Sequence, residues 1–261
     1  ITMSVKEGAT MWLGHDSWML IAKSEADSGR CAMLRRVEVG ARVTTIANNT
    51  FQFCGRLESI SIPQNVEVEG YATFNQATQL RVIVIQSITN VFRTFYNCIN
   101  LRAIAGPGTM GYTDKYTLTN TAVRQLNAAV TAAYTVQSLE RVHIKAVNGQ
   151  VGDFSACRSL VEVTIPADAT TFVAAAFSGD NALRRVTCLG DIASIPAQVF
   201  QRCYPLRFVD FTHCTAVPTL ANVNAFDRTH AQLEIRVPAS LVDAWKAATN
   251  WSSLADHIVG V

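Results

Sequence analysis

From Leu34 onward, apolar and polar positions follow one frame that keeps returning. Each frame opens Leu-x-x-Ile/Val-x-Ile/Val, as at Leu57, Ile60 and Ile62 or at Leu160, Val163 and Ile165. The last two positions of the frame fall on one face of a short strand, because side chains alternate across a strand. Pro63 and Pro166 follow directly, where proline ends a strand without removing a needed ladder donor. A second apolar position comes mid-frame, at Ile46, Val68, Val91, Val151, Phe172 and Ile195, and reads as a turn back under the strand. A phenylalanine then precedes the next leucine by six residues, at Phe51, Phe74, Phe95, Phe154, Phe177 and Phe200. Those six are half of the 12 phenylalanines, so the aromatic content is mostly a stacked core.

The anchors are Leu34, Leu57, Leu80, Leu101, Leu139, Leu160, Leu183 and Leu206, spaced 23, 23 and 21 before a gap and 21, 23 and 23 after it. A period in the low twenties with one strand per unit predicts an α/β repeat solenoid, a right-handed leucine-rich-repeat array of short parallel strands. No unit buries its own apolar face; stacking does, and the whole chain 1–261 is expected to form one repeat domain. Residues 1–33 do not fit the frame; the apolar residues around Trp12 and Trp18 suggest an N-terminal cap. Repeats are expected over 34–105 and 139–232. Between them, over 106–138, the turn-rich GPGTMGYTDKYTLTN leads into a stretch where Val123, Leu126, Ala129, Val130 and Ala133 keep helical spacing, with Thr121 or Asn120 as N-cap. That spacing predicts a helical insertion. Residues 233–261 read as a strand, a helix opening at Pro238 and a closing segment, a C-terminal cap with Trp245 and Trp251 in its core.

The stretches ATFNQATQL, AAFSGDNAL, TFYNCINL, FSACRSL and VFQRCYPL resemble the BspA-like leucine-rich repeats, whose consensus runs roughly L-x-x-I-x-I-P…A-F-x-x-C-x-x-L. The resemblance spans about Leu34 to Val261, and the 233–261 segment is similar to the closing segment of many such proteins of gut bacteria. It departs where the fourth repeat breaks off at LRAIAGPG and where the eighth runs long. It implies bacterial or protist surface proteins that contact partners on a host or neighbouring cell. The same repeats also occur in phage-encoded proteins. It implies no catalysis.

Composition adds bounds. Hydrophobic residues make up 49% and charged residues 16% of the 261, and the net charge is +2. Neither a basic run for nucleic acid nor an apolar run near the ~18 residues of a membrane span occurs. No signal peptide stands out, and the chain starts at Ile1, as a mature or trimmed form would. Cys54, Cys98, Cys157 and Cys203 each lie three residues before an anchoring leucine, where Ala77 and Asp180 stand in other repeats. Two rungs separate the members of each nearby pair, about 10 Å, too far for a disulfide, so these read as free, buried thiols, as does the inward Cys188. Cys98 and Cys157 become neighbours only if the insertion loops out, and Cys31 and Cys214 stay open.

No chemistry-bearing motif stands out: no metal-ligand spacing among the histidines, no C-x-x-C, no phosphate loop. His15, Asp16 and Ser17 are adjacent, whereas a triad is assembled in space. No catalytic residue, cofactor or metal is expected. Two sets of residues are candidates for partner contact. One is Tyr112, Tyr116, Arg124 and Tyr134 in the insertion, which either shape a binding face or belong to a helix replacing a degenerate rung. The other is the row just after the anchors, Arg35, Arg81, Arg102, Arg184 and Arg207, which either holds carboxylates and sulfates or is a solvated, edge-protecting row with Glu58 and Glu140 interleaved. The expected function is non-catalytic recognition or adhesion, extracellular or at the cell surface, of a protein or glycan partner through an extended surface. The alternative is a structural or receptor-binding part of a phage particle, such as a tail fibre.

Overall fold

The computed structural model describes residues 2–4, 34–39, 43–85, 87–89, 92–106, 109–110, 118, 121–130, 133, 136–155 and 157–261. The chain divides into two compact units, Ile1–Val130 and Thr131–Val261. Each is a parallel β-solenoid.

In the first unit the strands are β1 (Thr2–Ser4), β2 (Arg36–Glu38), β3 (Thr45–Ile46), β4 (Ser59–Ser61), β5 (Glu67–Glu69), β6 (Val82–Val84), β7 (Ser87–Thr89), β8 (Ala103–Ala105), β9 (Thr109–Met110) and β10 (Gln125–Val130). Two parallel ladders run along it. One is β1-β2-β4-β6-β8-β10, and the other is β3-β5-β7-β9-β10. The mid-frame apolar position is therefore a second short strand rather than a turn: Ile46 pairs with Val68 and Val68 with Ile88, all buried. Ile88 holds this position in the third rung, and Val91 lies outside the described residues.

The helix expected within 106–138 is not formed where the structure describes it: Gln125–Val130 is a strand. It pairs with both strands of the preceding rung, Gln125 and Leu126 with Ala103 and Ile104, and Ala129 and Val130 with Thr109 and Met110. Short apolar runs fit helix and strand equally by spacing alone, and here the exposed ladder edge of β8 and β9 wins over helical periodicity. Val123 is the hidden anchor. The amide of Arg124 donates to the Arg102 carbonyl at 2.8 Å, as that of Arg102 does to Arg81 at 2.8 Å. Val123, Leu126 and Val130 are buried like Leu101 and Ile104. So the fourth repeat does not break off at LRAIAGPG. Gly106 (φ +145°) permits its passage, since a Cβ there would meet the Ile85 carbonyl oxygen at 1.7 Å.

In the second unit the strands are β11 (Arg141–Ile144), β12 (Gln150–Val151), β13 (Glu162–Ile165), β14 (Thr171–Phe172), β15 (Arg185–Cys188), β16 (Ser194–Ile195), β17 (Phe208–Asp210), β18 (Thr219–Leu220), β19 (Glu234–Val237) and β20 (Ile258–Gly260). The sheet β13-β15-β17-β19-β20 is wholly parallel, and β12-β14 and β16-β18 pair beneath it. Ala133 and Val136, both buried, stand six and three residues before Leu139, where the frame elsewhere carries phenylalanine and cysteine.

Phenylalanine columns fill both interiors. Phe51, Phe74 and Phe95 stack at 5.5 Å per step. Phe154, Phe177 and Phe200 stack at 5.5 and 5.8 Å, and Phe226 extends the column. Each pair adds roughly 0.5–1.5 kcal/mol beyond burial. The turns that carry these rings are held by a third ladder: Asn49, Phe51 and Phe53 donate to the carbonyls of Tyr71, Thr73 and Asn75 one rung on. Left-handed residues recur in it, at Asn49 and Phe53, Ala72 and Gln76, and Gln198 and Arg202, and the repeated hydrogen bonds offset their strain.

At the C-terminal end, Pro238 leads a 3-10 turn, Ala239–Leu241, into the helix Val242–Ala247. Trp245 and Trp251 are fully buried, 4.6 Å apart, and Trp251 Nε1 donates to the Pro218 carbonyl at 2.7 Å. Trp251 meets Phe226, so the aromatic column ends in the closing segment. On β20 Ile258 is buried and Val259 is exposed. The expected cap over 1–33, with His15, Asp16 and Ser17, lies outside the described residues except Thr2–Ser4, which pairs in parallel with Arg36–Glu38.

Candidate partner-recognition surface

Strand alternation decides what each rung shows. Central residues such as Ile60, Ile83 and Val209 are buried, and their neighbours point outward. The residue after each anchor sits at the start of this outward surface. In the first unit these residues form one backbone ladder: Glu58 donates to Arg35, Arg81 to Glu58, Arg102 to Arg81 and Arg124 to Arg102. Arg35, Arg81, Arg102 and Arg124 are exposed. Arg124, expected in a helix apart from the others, thus joins them, and Arg81, Arg102 and Arg124 stand on consecutive rungs about 4.8 Å apart. Glu58 meets Arg35 at 3.5 Å, a pair open to solvent that contributes little. In the second unit Arg184 and Arg207 are exposed and linked in the same way, Arg207 donating to the Arg184 carbonyl at 3.0 Å. Tyr112, Tyr116 and Tyr134 lie outside the described residues.

The outward strand positions differ between units. Val82 and Val84 are exposed on β6, beside Ala103 and Ala105 of β8. On β15, β17 and β19 they are Arg185 and Thr187, Phe208 and Asp210, Glu234 and Arg236. Phe208 carries a guanidinium against it from each side strand, Arg185 at 4.7 Å and Arg236 at 4.6 Å from the ring centre. The residue pattern carries a signal for this cluster: a large aromatic at an outward strand position, with arginines at outward positions on the flanking strands.

The interior holds no poised nucleophile among the described residues. Cys54, Cys98, Cys157, Cys188, Cys203 and Cys214 are free and buried, as expected for the first five. Cys31 lies outside the described residues. Burial pushes the thiols of Cys98, Cys157 and Cys188 far up and that of Cys203 up to about 12, so they stay protonated. Cys98 Sγ donates to the Phe74 carbonyl, Cys157 Sγ to that of Ala133 and Cys203 Sγ to that of Phe177, each at 3.0 Å. This explains the position: a small, apolar donor fits beside the carbonyl of the preceding rung. Asp180 occupies the same slot fully buried, and burial raises its carboxyl to about 7. Among the described residues, no group of three His, Cys, Asp or Glu could hold a metal ion, and no helix is long and apolar enough to cross a membrane.

Stacked short parallel strands, a buried leucine and phenylalanine in most turns and an open outward face define a leucine-rich-repeat solenoid. The BspA type leucine rich repeat region matches residues 29–127 and 131–248 in six copies, and the chain belongs to that family, whose repeats are typically non-catalytic. Solved structures similar to it include a leucine-rich repeat protein from Bacteroides ovatus (16% identity over 88% of this chain and 67% of the other, TM-score 0.46). Another is a leucine rich cell surface protein from Faecalibacterium prausnitzii (17% identity, 79% and 82% covered, TM-score 0.39). A third is a leucine-rich repeat protein from Eubacterium ventriosum (16% identity, 82% and 67% covered, TM-score 0.31). No curated protein matches the sequence.

Proposed function

We propose that the chain is a non-catalytic recognition module displayed at a bacterial surface, contacting a protein or glycan of a host or neighbouring cell through the outward face of its rungs. The observation that carries this is the pair Arg81 and Arg102 on adjacent rungs, in a row that Arg124 continues. Like charges on adjacent strands are destabilising, and a stack built only for stability would interleave carboxylates, as Glu58 does beside Arg35. Arg81 and Arg102, exposed on successive rungs, instead offer bidentate donors to anionic groups on a partner, and Arg124 continues their row. Arg35, Arg184 and Arg207 extend the same kind of surface in their own units. Tyr112, Tyr116 and Tyr134 are further candidates for contact.

The test is a binding screen on glycan and host-matrix protein arrays with the intact chain and with Arg81→Gln/Arg102→Gln/Arg124→Gln. Deleting 106–136 would remove a whole rung with Val123, Leu126 and Val130, so substitutions are the cleaner probe. The expected result is saturable, salt-sensitive binding that the triple variant loses while its circular dichroism is unchanged. Binding by neither form, on any array, would overturn the recognition reading and leave a structural role in a phage particle ahead.

A further inference from the structure

Phe208 occupies a position where a solvent-facing strand ordinarily carries a polar side chain. Its direct cross-strand partners are Arg185 on β15 and Glu234 on β19. Arg185 faces a carboxylate on its other side, since Glu162 is its register partner on β13. Yet no ion pair joins Arg185 to Glu162 among the described residues; its guanidinium lies over the Phe208 ring at 4.7 Å. Arg236 lies over the ring at 4.6 Å and also donates through Nε and Nη2 to Glu234 Oε2 at 3.2 and 3.0 Å. Arg207 approaches the ring at 5.9 Å and donates to Gln232 Oε1 at 2.9 Å. Asp210, the nearest carboxylate along β17, is engaged elsewhere: its Oδ1 accepts from Thr212 N and Oγ1 at 2.9 and 2.6 Å.

The consequence is a pre-oriented cationic platform. The ring contact restricts the arginine side chains, which otherwise lose much rotamer freedom on binding, and Arg185 stays partly open to solvent. Exposed Arg184 stands beside it, with no carboxylate in pairing distance among the described residues. Cation contact with the Phe208 ring takes up the surface on which a sugar would stack, which disfavours a neutral glycan. Arginine set against an aromatic ring on a flat face is the composition of a protein-binding hot spot, and arginine clusters recognise acidic segments.

We propose that Arg185, held by Phe208 and assisted by Arg184 and Arg207, is a binding site for an acidic segment of a partner protein, its Asp or Glu carboxylates bridging the guanidiniums. This rests on the recognition reading above and names the partner's chemistry for the second unit.

The experiment measures fluorescence anisotropy of a labelled octaglutamate peptide titrated with the intact chain, with a fully sulfated polysaccharide run in parallel. Arg185→Gln is expected to weaken octaglutamate binding about tenfold, as loss of one bidentate charged pair does. Phe208→Leu, which keeps an apolar side chain but removes the cation–π contact, is expected to weaken it about threefold. Arg141→Gln, an exposed arginine on β11, should leave it unchanged, and thermal melts should show all three variants folded. Octaglutamate binding that is absent, or equally strong in Arg185→Gln, overturns the assignment. So does Arg185-dependent binding of the polysaccharide alone, which makes the site one for sulfated glycan. If the arrays above still report a partner while octaglutamate does not bind, the recognition reading survives and this site falls.

Discussion

Three residues before Leu80 the first unit carries Ala77, between Cys54 and Cys98 on the rungs either side; three before Leu183 the second carries Asp180, between Cys157 and Cys203. All six side chains are buried, and the phenylalanine columns beside them repeat nearly the same spacing. One slot thus takes a methyl, a thiol or a carboxyl within the same frame. The thiols of Cys98, Cys157 and Cys203 each find a backbone carbonyl of the preceding rung. Asp180 does less well. Its Oδ1 accepts from the Ala182 amide at 3.0 Å, and its Oδ2 is buried without a hydrogen-bond partner. Burial therefore outweighs the amide bonds from Ala182 and Leu183 and lifts the carboxyl from its ordinary 3.8 to about 7. Below about pH 7 the solenoid holds this buried acid in its protonated form.

The largest effect is expected from Ala77→Asp, which places an unprepared carboxyl in the first unit's slot. Its destabilisation should reach about 4 kcal/mol at pH 8 and be clearly smaller at pH 5, where the group binds a proton more readily. Urea denaturation at the two pH values reads this, and equal losses at both would show that crowding rather than charge sets the cost. Asp180→Ala is the reverse experiment. Because the folded carboxyl titrates above the unfolded one, its favourable contribution is complete below about 3.8 and is lost as pH rises through 7. The parent chain should therefore lose about 3 kcal/mol of stability between pH 5 and pH 8, at about 1.4 kcal/mol for each pH unit until the folded carboxyl ionises. Asp180→Ala should flatten that slope and be the more stable of the two at pH 8, by about 2 kcal/mol after the lost packing is counted. A parent melting temperature that is constant over this range would sink the account.

The slot itself was legible in the sequence, because its residue types stand at a constant offset from the leucines. The arginines after the anchors were legible for the same reason. What misled was substitution within the frame. Val123 holds a leucine's place, and Ala133 and Val136 hold those of a phenylalanine and a cysteine, so neither half of the rung announced itself. Val123, Leu126 and Val130 are spaced as they would be on a helix face, and only the hydrogen-bonding edge of the preceding rung selects the strand. Arg124 was separated from its row by that error alone. The Arg185–Phe208–Arg236 cluster was legible only as residue types at outward strand positions. It joins residues of three strands, 23 and then 28 positions apart, and needs the register to be seen.

Smaller effects sharpen the view of the slot as a carbonyl-facing donor site. Cys98→Ala leaves the Phe74 carbonyl without its 3.0 Å thiol partner. Because an S–H is a weak donor, the loss should be near 1 kcal/mol, a quarter of what Ala77→Asp costs. The smallest effect concerns no stability at all. If burial and the carbonyl contacts hold Cys98, Cys157 and Cys203 as thiols, an aromatic disulfide reagent at pH 8 should modify them only as fast as the chain opens, since thiolate is the reacting form. Raising the urea concentration should then accelerate labelling in step with unfolding. Rapid modification of Cys157 or Cys203 in the folded chain, located by peptide mass mapping, would mean that the slot beside Asp180 breathes open between rungs. In that case the raised carboxyl of Asp180 should also relax toward its ordinary value, and the pH slope of the parent chain should shrink with it. Labelling and titration thus read the same closure at neighbouring rungs, and the two must agree.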